Sequence, residues 1–176
     1  MRSFIRTFIL TAVVALSIVA AYGSPKPPKT LEQQIESRLV NLSNYGVFDF
    51  ITFQINGGTV TLNGDVNSFG VIDDAQKEVE RVPGVTNVIN NIEQLPPSPY
   101  DDQIRRQALR TLERDGPAQY FSVRPDVHII VENGNITLEG YVADKSASNM
   151  IDILANGING VFKVQNDLII GKDKDR

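Results

Sequence analysis

The chain offers few residues with the chemistry of a catalytic or metal centre. His128 is its only histidine, and it has no cysteine. A lone imidazole without a thiol supports neither a Cys-His pair nor a rich metal site. Flanked by Val127 and Ile129, its ring is expected on the opposite sheet face, as a surface or interdomain residue. No G-x-S-x-G elbow supports a Ser-His-Asp set. Asp73-Asp74 and Asp101-Asp102 are adjacent pairs, and helix neighbours diverge by about 100°, so neither pair converges on one ion. They read as first-turn charges favoured by the helix dipole. The glycines serve turns and form no phosphate loop. The inventory speaks against an enzyme, and no cofactor or metal is expected.

Arginine is the more promising chemistry. A helix is predicted over 102–115, with Ile104, Ala108 and Leu112 on one side. Arg106, Arg110 and Arg114 fall nearly opposite, with Arg105 beside the boundary. Guanidinium groups meet phosphate oxygens in a bidentate way. Such a ridge suits anionic lipid headgroups, at about 1 kcal/mol per residue near the surface. Tyr120 and Phe121 follow the helix and are candidates for the membrane interface. The bland alternative is a solvated face, since Asp101/Arg105 and Asp102/Arg106 are i,i+4 pairs and any surface helix has a charged side.

Gly58-Thr59-Val60-Thr61-Leu62-Asn63-Gly64-Asp65-Val66 aligns with Gly134-Asn135-Ile136-Thr137-Leu138-Glu139-Gly140-Tyr141-Val142 at an offset of 76. The same offset carries Gly84, Val85, Val88 and Asn90 onto Gly160, Val161, Val164 and Asn166. A repeat that keeps turn glycines and apolar positions in step is one structural unit present twice. Thr30 and Gln33 form a capping-box pattern before a helical stripe at Leu31, Ile35, Leu39 and Leu42. Ile51, Phe53 and Ile55 alternate as a strand, Asn56-Gly57-Gly58 turns, and Val60 and Leu62 alternate again. A second helical stripe (Val71, Ala75, Val79, Val82) ends at Pro83-Gly84. A last strand holds Val85, Val88 and Ile92, with a bulge expected between the first two. Unit two repeats this order, which predicts an α+β fold of two tandem α-β-β-α-β units. Each is a three-stranded mixed sheet packed on one face by two helices. Asn90 and Asn166 share parity with the apolar positions and are read as buried structural amides.

The chain carries a formal net charge of −4. Between Thr30 and Leu95 three basic residues face nine acidic ones, net −6, and between Tyr100 and Lys172 eight face ten, net −2. Neither half has the basic balance of a nucleic-acid binder. Arg2 and Arg6 precede an apolar run, Phe8 to Ala20, of signal-peptide length, so residues 1–23 read as a cleaved signal, with an uncleaved anchor as the alternative. Without cysteine the chain is not a lipoprotein, and no disulfide staples it. Residues 24–30 read as a Pro-rich tether, 31–95 and 100–172 as the two domains, 96–99 as a Pro-rich spacer and 173–176 as a charged tail.

The G-x-V-x-L-x-G-x-V stretch, the amphipathic helix and G-V-x-x-V-x-N-x-I/L, twice over, resemble the BON domain of bacterial envelope proteins. That family includes an osmotically inducible periplasmic protein. The resemblance implies a non-enzymatic periplasmic module that contacts phospholipid and supports envelope integrity or stress tolerance. Gly58, Gly64, Gly84, Gly134, Gly140 and Gly160 are then structural. Anionic phospholipid is the expected partner, reached through unit two. The alternative is a soluble, chaperone-like or protein-interaction module acting on envelope proteins.

Overall fold

The computed structural model describes residues 28–122 and 124–171. The expected signal peptide, residues 24–27 of the tether and the 173–176 tail lie outside the described residues.

Unit one runs α1 (Leu31–Leu39), β1 (Phe50–Asn56), β2 (Thr59–Val66), α2 (Phe69–Glu80) and β3 (Asn87–Gln94). Thr30 caps α1, accepting from the Gln33 backbone while the Gln33 side chain accepts from Thr30 N–H. The sheet order is β1-β2-β3, with β1 antiparallel and β3 parallel to β2. Ile35 and Leu39 from α1, and Val71, Ala75 and Val79 from α2, meet Val60 and Leu62 in one apolar core. The inward strand positions share a parity, so both helices cover the same face. The third strand starts at Asn87 rather than Val85, which sits in the turn after α2, where its N–H bonds Val82 O.

Unit two runs α3 (Pro99–Asp115), a 3-10 turn (Ala118–Phe121), β4 (Val127–Glu132), β5 (Asn135–Val142), α4 (Lys145–Asn156), β6 (Lys163–Asn166) and β7 (Ile169–Ile170). Again the hairpin is antiparallel, and both β6 and β7 pair parallel with β5. They share one path beside β5, interrupted at Asp167-Leu168, so the third strand of this unit is split in two. Helix α3 begins earlier than the sequence suggests, taking Pro99 from the spacer. Ser98 caps it, accepting from Asp101 N–H, and a first-turn proline loses no helical hydrogen bond. Ile104, Ala108 and Leu112 of α3 meet Ile151 and Ala155 of α4 over Ile129, Ile136 and Leu138.

Gly64 and Gly140 occupy matching places, each opposite the start of the hairpin's first strand. Their φ values are 136° and 110°, and a Cβ there would fall 2.0 Å from Phe50 O and 2.1 Å from Asp126 O. Only glycine allows both the dihedral and the approach.

The loop before β1 joins the units. Val47 O accepts from Ile129 N–H at 2.7 Å, along the outer edge of β4. Val47 and Phe48 pack against the unit-two core. One residue pair further along that edge, Val131 O accepts from Arg105 Nη2 at 2.5 Å. An exposed strand edge invites pairing with other chains, and here two of its groups are satisfied from within.

Candidate functional site

Helix α3 keeps its apolar stripe on the sheet, which leaves Arg106, Arg110 and Arg114 exposed on the opposite side. Arg114 is held by its neighbour Asp115, Nε to Oδ1 at 2.8 Å and Nη2 to Oδ2 at 2.6 Å. That hydrogen bond draws the Asp115 carboxyl below its ordinary range. Arg106 and Arg110 enter no ion pair among the described residues. The bare part of the ridge is therefore two guanidinium groups one helical turn apart.

Three expected lipid contacts lie elsewhere. Arg105 is only 2% exposed. At 100° per residue it borders the apolar stripe, and its long stem reaches over β4 to Val131 O, while Nη1 bonds Asp102 at 2.8 Å. Its Nε has no hydrogen-bond partner. Tyr120 and Phe121, at 8% and 4% exposure, belong to the unit-two core. The 3-10 turn folds both rings inward, and Tyr120 OH accepts from Ala143 N–H at 2.9 Å.

Asp101 does more than favour a helix dipole. Its buried carboxylate accepts from Asn133 N–H at 3.1 Å and Gly134 N–H at 2.8 Å, fastening the β4-β5 turn to the start of α3. In sequence it looks like any first-turn acid; only the meeting of α3 with a distant hairpin reveals the role. At the same end, Tyr100 OH donates to Gly160 O at 2.5 Å and its ring stacks on Phe162 at 6.1 Å.

The paired asparagines are placed alike. Asn90 Nδ2 donates to Ile72 O at 3.1 Å and its Oδ1 accepts from Ile92 N–H. Asn166 Nδ2 donates to Ser148 O at 3.4 Å and its Oδ1 accepts from Leu168 N–H. Each ties the first turns of the crossover helix to the third strand. They are less buried than their parity suggests: Asn90 is half-buried and Asn166 exposed, because the third strand is the sheet edge. Gly58 O accepts from Thr86 N–H and Gly134 O from Phe162 N–H, joining hairpin to third strand. Gly84 and Gly160 both take positive φ after their crossover helices.

His128 is buried between the units. Its Nδ1 lies 3.2 Å from Gly46 O, and its ring sits 5.5 Å from that of Tyr45 and 5.4 Å from that of Phe50. Beside it opens a cleft of about 460 Å³, whose walls include Glu32, Glu36, Phe53, Asp126 and Tyr141. The outer sheet faces bring carboxylates together. Asp65 pairs in register with Glu93. Burial pushes the Asp65 carboxyl up, with Glu132 of unit two and Glu93 adding repulsion. Burial, then Asp167, then Asp65 push the Glu139 carboxyl up to about 6. Among the described residues no group of three or more His, Asp or Glu is placed to hold a metal ion. No helix among them is long and apolar enough to cross a membrane.

A family model described as "BON domain" matches the chain twice, over residues 29–96 and 100–172. The chain belongs to the BON domain family. This family is associated with membrane and phospholipid binding and is generally non-enzymatic. The C-terminal domain of CdsD, described as the structural protein of the type III secretion system of Chlamydia trachomatis, is similar at 16% identity and a TM-score of 0.33. That alignment covers 84% of this chain and 100% of the other. A second CdsD structure from the same organism is similar at 16% identity and a TM-score of 0.32, covering 80% and 91%. No curated protein matches the chain.

Proposed function

We propose that this tandem BON protein is a non-enzymatic binding module of the bacterial envelope that docks on anionic phospholipid through α3 of unit two. It works in the periplasm once residues 1–23 are removed, and supports envelope integrity under stress. The observation that carries the reading is the exposed, unpaired Arg106–Arg110 pair on the side of α3 away from its core. Unit one has no counterpart: Arg38, on α1, already meets Glu78 at 2.9 Å. Each guanidinium near an anionic surface adds about 1 kcal/mol, so two make a weak, reversible attachment that salt screens.

The test is co-sedimentation of the full chain with phosphatidylglycerol-rich vesicles. Arg106→Gln with Arg110→Gln is expected to lower affinity by about 2 kcal/mol, roughly thirtyfold, with the fold intact. Arg114→Gln is expected to change little, since Asp115 already holds that charge. Equal binding by the double variant would remove the reading. A second reading, a protein-interaction or chaperone-like module, draws on Phe162, which is 75% exposed at the hairpin end of unit two.

A further inference from the structure

The crossover helices of the two units differ on their outward faces. In α2 the outward positions include Asp73, Asp74, Lys77 and Glu80. At the offset of 76, α4 carries Asn149, Met150, Ile153 and Asn156. Met150 is 48% exposed and Ile153 70%. The inward side of α4 is already complete with Ile151 and Ala155, so these two side chains contribute nothing to the core. Spaced three apart, they stand next to each other on the helix surface. A solvated helix normally presents polar side chains there; α2 has Asp74 and Lys77 at the two matching positions, and its exposed apolar residue is Phe69 at its start.

Helices α3 and α4 cover the same face of the unit-two sheet and share one core, so their outward sides point the same way. Leu154 of α4 lies near the end of α3, where a Cβ on Gly116 would come within 3.2 Å of it. The outward side of α3 carries Arg106 and Arg110, and the outward side of α4 carries Met150 and Ile153. Cationic groups on one helix and a small apolar patch on the other, both turned away from the same sheet, complement the anionic headgroups and the acyl boundary beneath them.

We infer that Met150 and Ile153 are a shallow apolar insert that enters the lipid surface when α3 docks. The inference rests on the headgroup reading above and adds the depth of contact: α4 is buried in the interface while α3 stays at phosphate level. Binding then has two parts, one set by charge and screened by salt, the other set by apolar area and insensitive to salt.

The chain has no tryptophan, so a single introduced one reports alone. Ile153→Trp in the full chain is expected to blue-shift on addition of phosphatidylglycerol-rich vesicles and to be quenched by brominated acyl chains. Lys77→Trp, at the equivalent place on α2, is expected to do neither. Met150→Gln with Ile153→Gln is expected to lose about tenfold in vesicle affinity at high and low salt alike. Both sites are on the surface, so an unchanged denaturation midpoint shows the fold intact. If Ile153→Trp stays unshifted while the protein sediments with vesicles, the insert is wrong and the headgroup reading stands. If the wild-type chain does not sediment, both fall. If the wild type self-associates in ultracentrifugation and the double Gln variant is monomeric, the patch belongs to a second copy and the insert is overturned.

Discussion

A single side chain decides more here than its position in the sequence suggests. Arg105 and Arg106 are neighbours, yet one closes a strand edge and the other faces solvent. Their substitutions should therefore separate. Arg105→Ala is expected to lower stability while leaving vesicle affinity per folded molecule unchanged. It removes the donor to Val131 O and leaves that carbonyl unpaired, at a cost of about 1–3 kcal/mol. Urea denaturation with parallel sedimentation checks both halves. Asp101→Ala removes a charged acceptor from two backbone N–H groups and is expected to cost about 3 kcal/mol. Faster amide exchange at Asn133 and Gly134 would locate the loss at the turn. Neither role is legible from residue type, because each depends on a strand or turn 26 to 33 residues further along the chain.

At the scale of elements, the repeat makes matched tests available. Leu62 and Leu138 are both fully buried, and changing either to Ala is expected to cost about 2–5 kcal/mol in its own unit. Gly64→Ala and Gly140→Ala are expected to cost more than an ordinary surface change in both units, since backbone oxygens stand where the methyl would go. A denaturation midpoint within the range of surface variants would refute the matching. The helices, hairpins and third strands leave a trace in the sequence because burial imposes a period, and the period recurs at a fixed offset. Tyr120 and Phe121 leave no such trace. They follow the end of α3 in a four-residue turn, too short for periodicity to tell inside from outside. Met150 and Ile153 are hidden for a different reason: the inward stripe of α4 is complete without them, so a search for the stripe passes over them. The extra length of α3 was present in the sequence as Ser98-Pro99, a cap and a first-turn proline.

For the molecule as a whole, the two outer sheet faces carry carboxylates within each other's influence, and this couples stability to pH. Glu139 has a folded pKa of about 6, above its ordinary value of 4.5. A raised carboxyl favours the folded state while protonated; that contribution is complete below about pH 4.5 and is lost as pH rises through 6. Glu139→Gln is accordingly expected to raise the melting temperature at pH 8 and leave it nearly unchanged at pH 4. A shift of equal size at both would refute the coupling. The loop at Val47 has another consequence. The halves meet through Val47 and Phe48, through His128 against Tyr45, Gly46 and Phe50, and through Arg124 donating to Asn41, whereas the spacer at residues 96–98 connects them in sequence. A protease that cuts the spacer would leave two fragments that still travel as one particle on a sizing column. Fragments that separate on the column would show that the spacer's covalent link, and not the loop, keeps the units together.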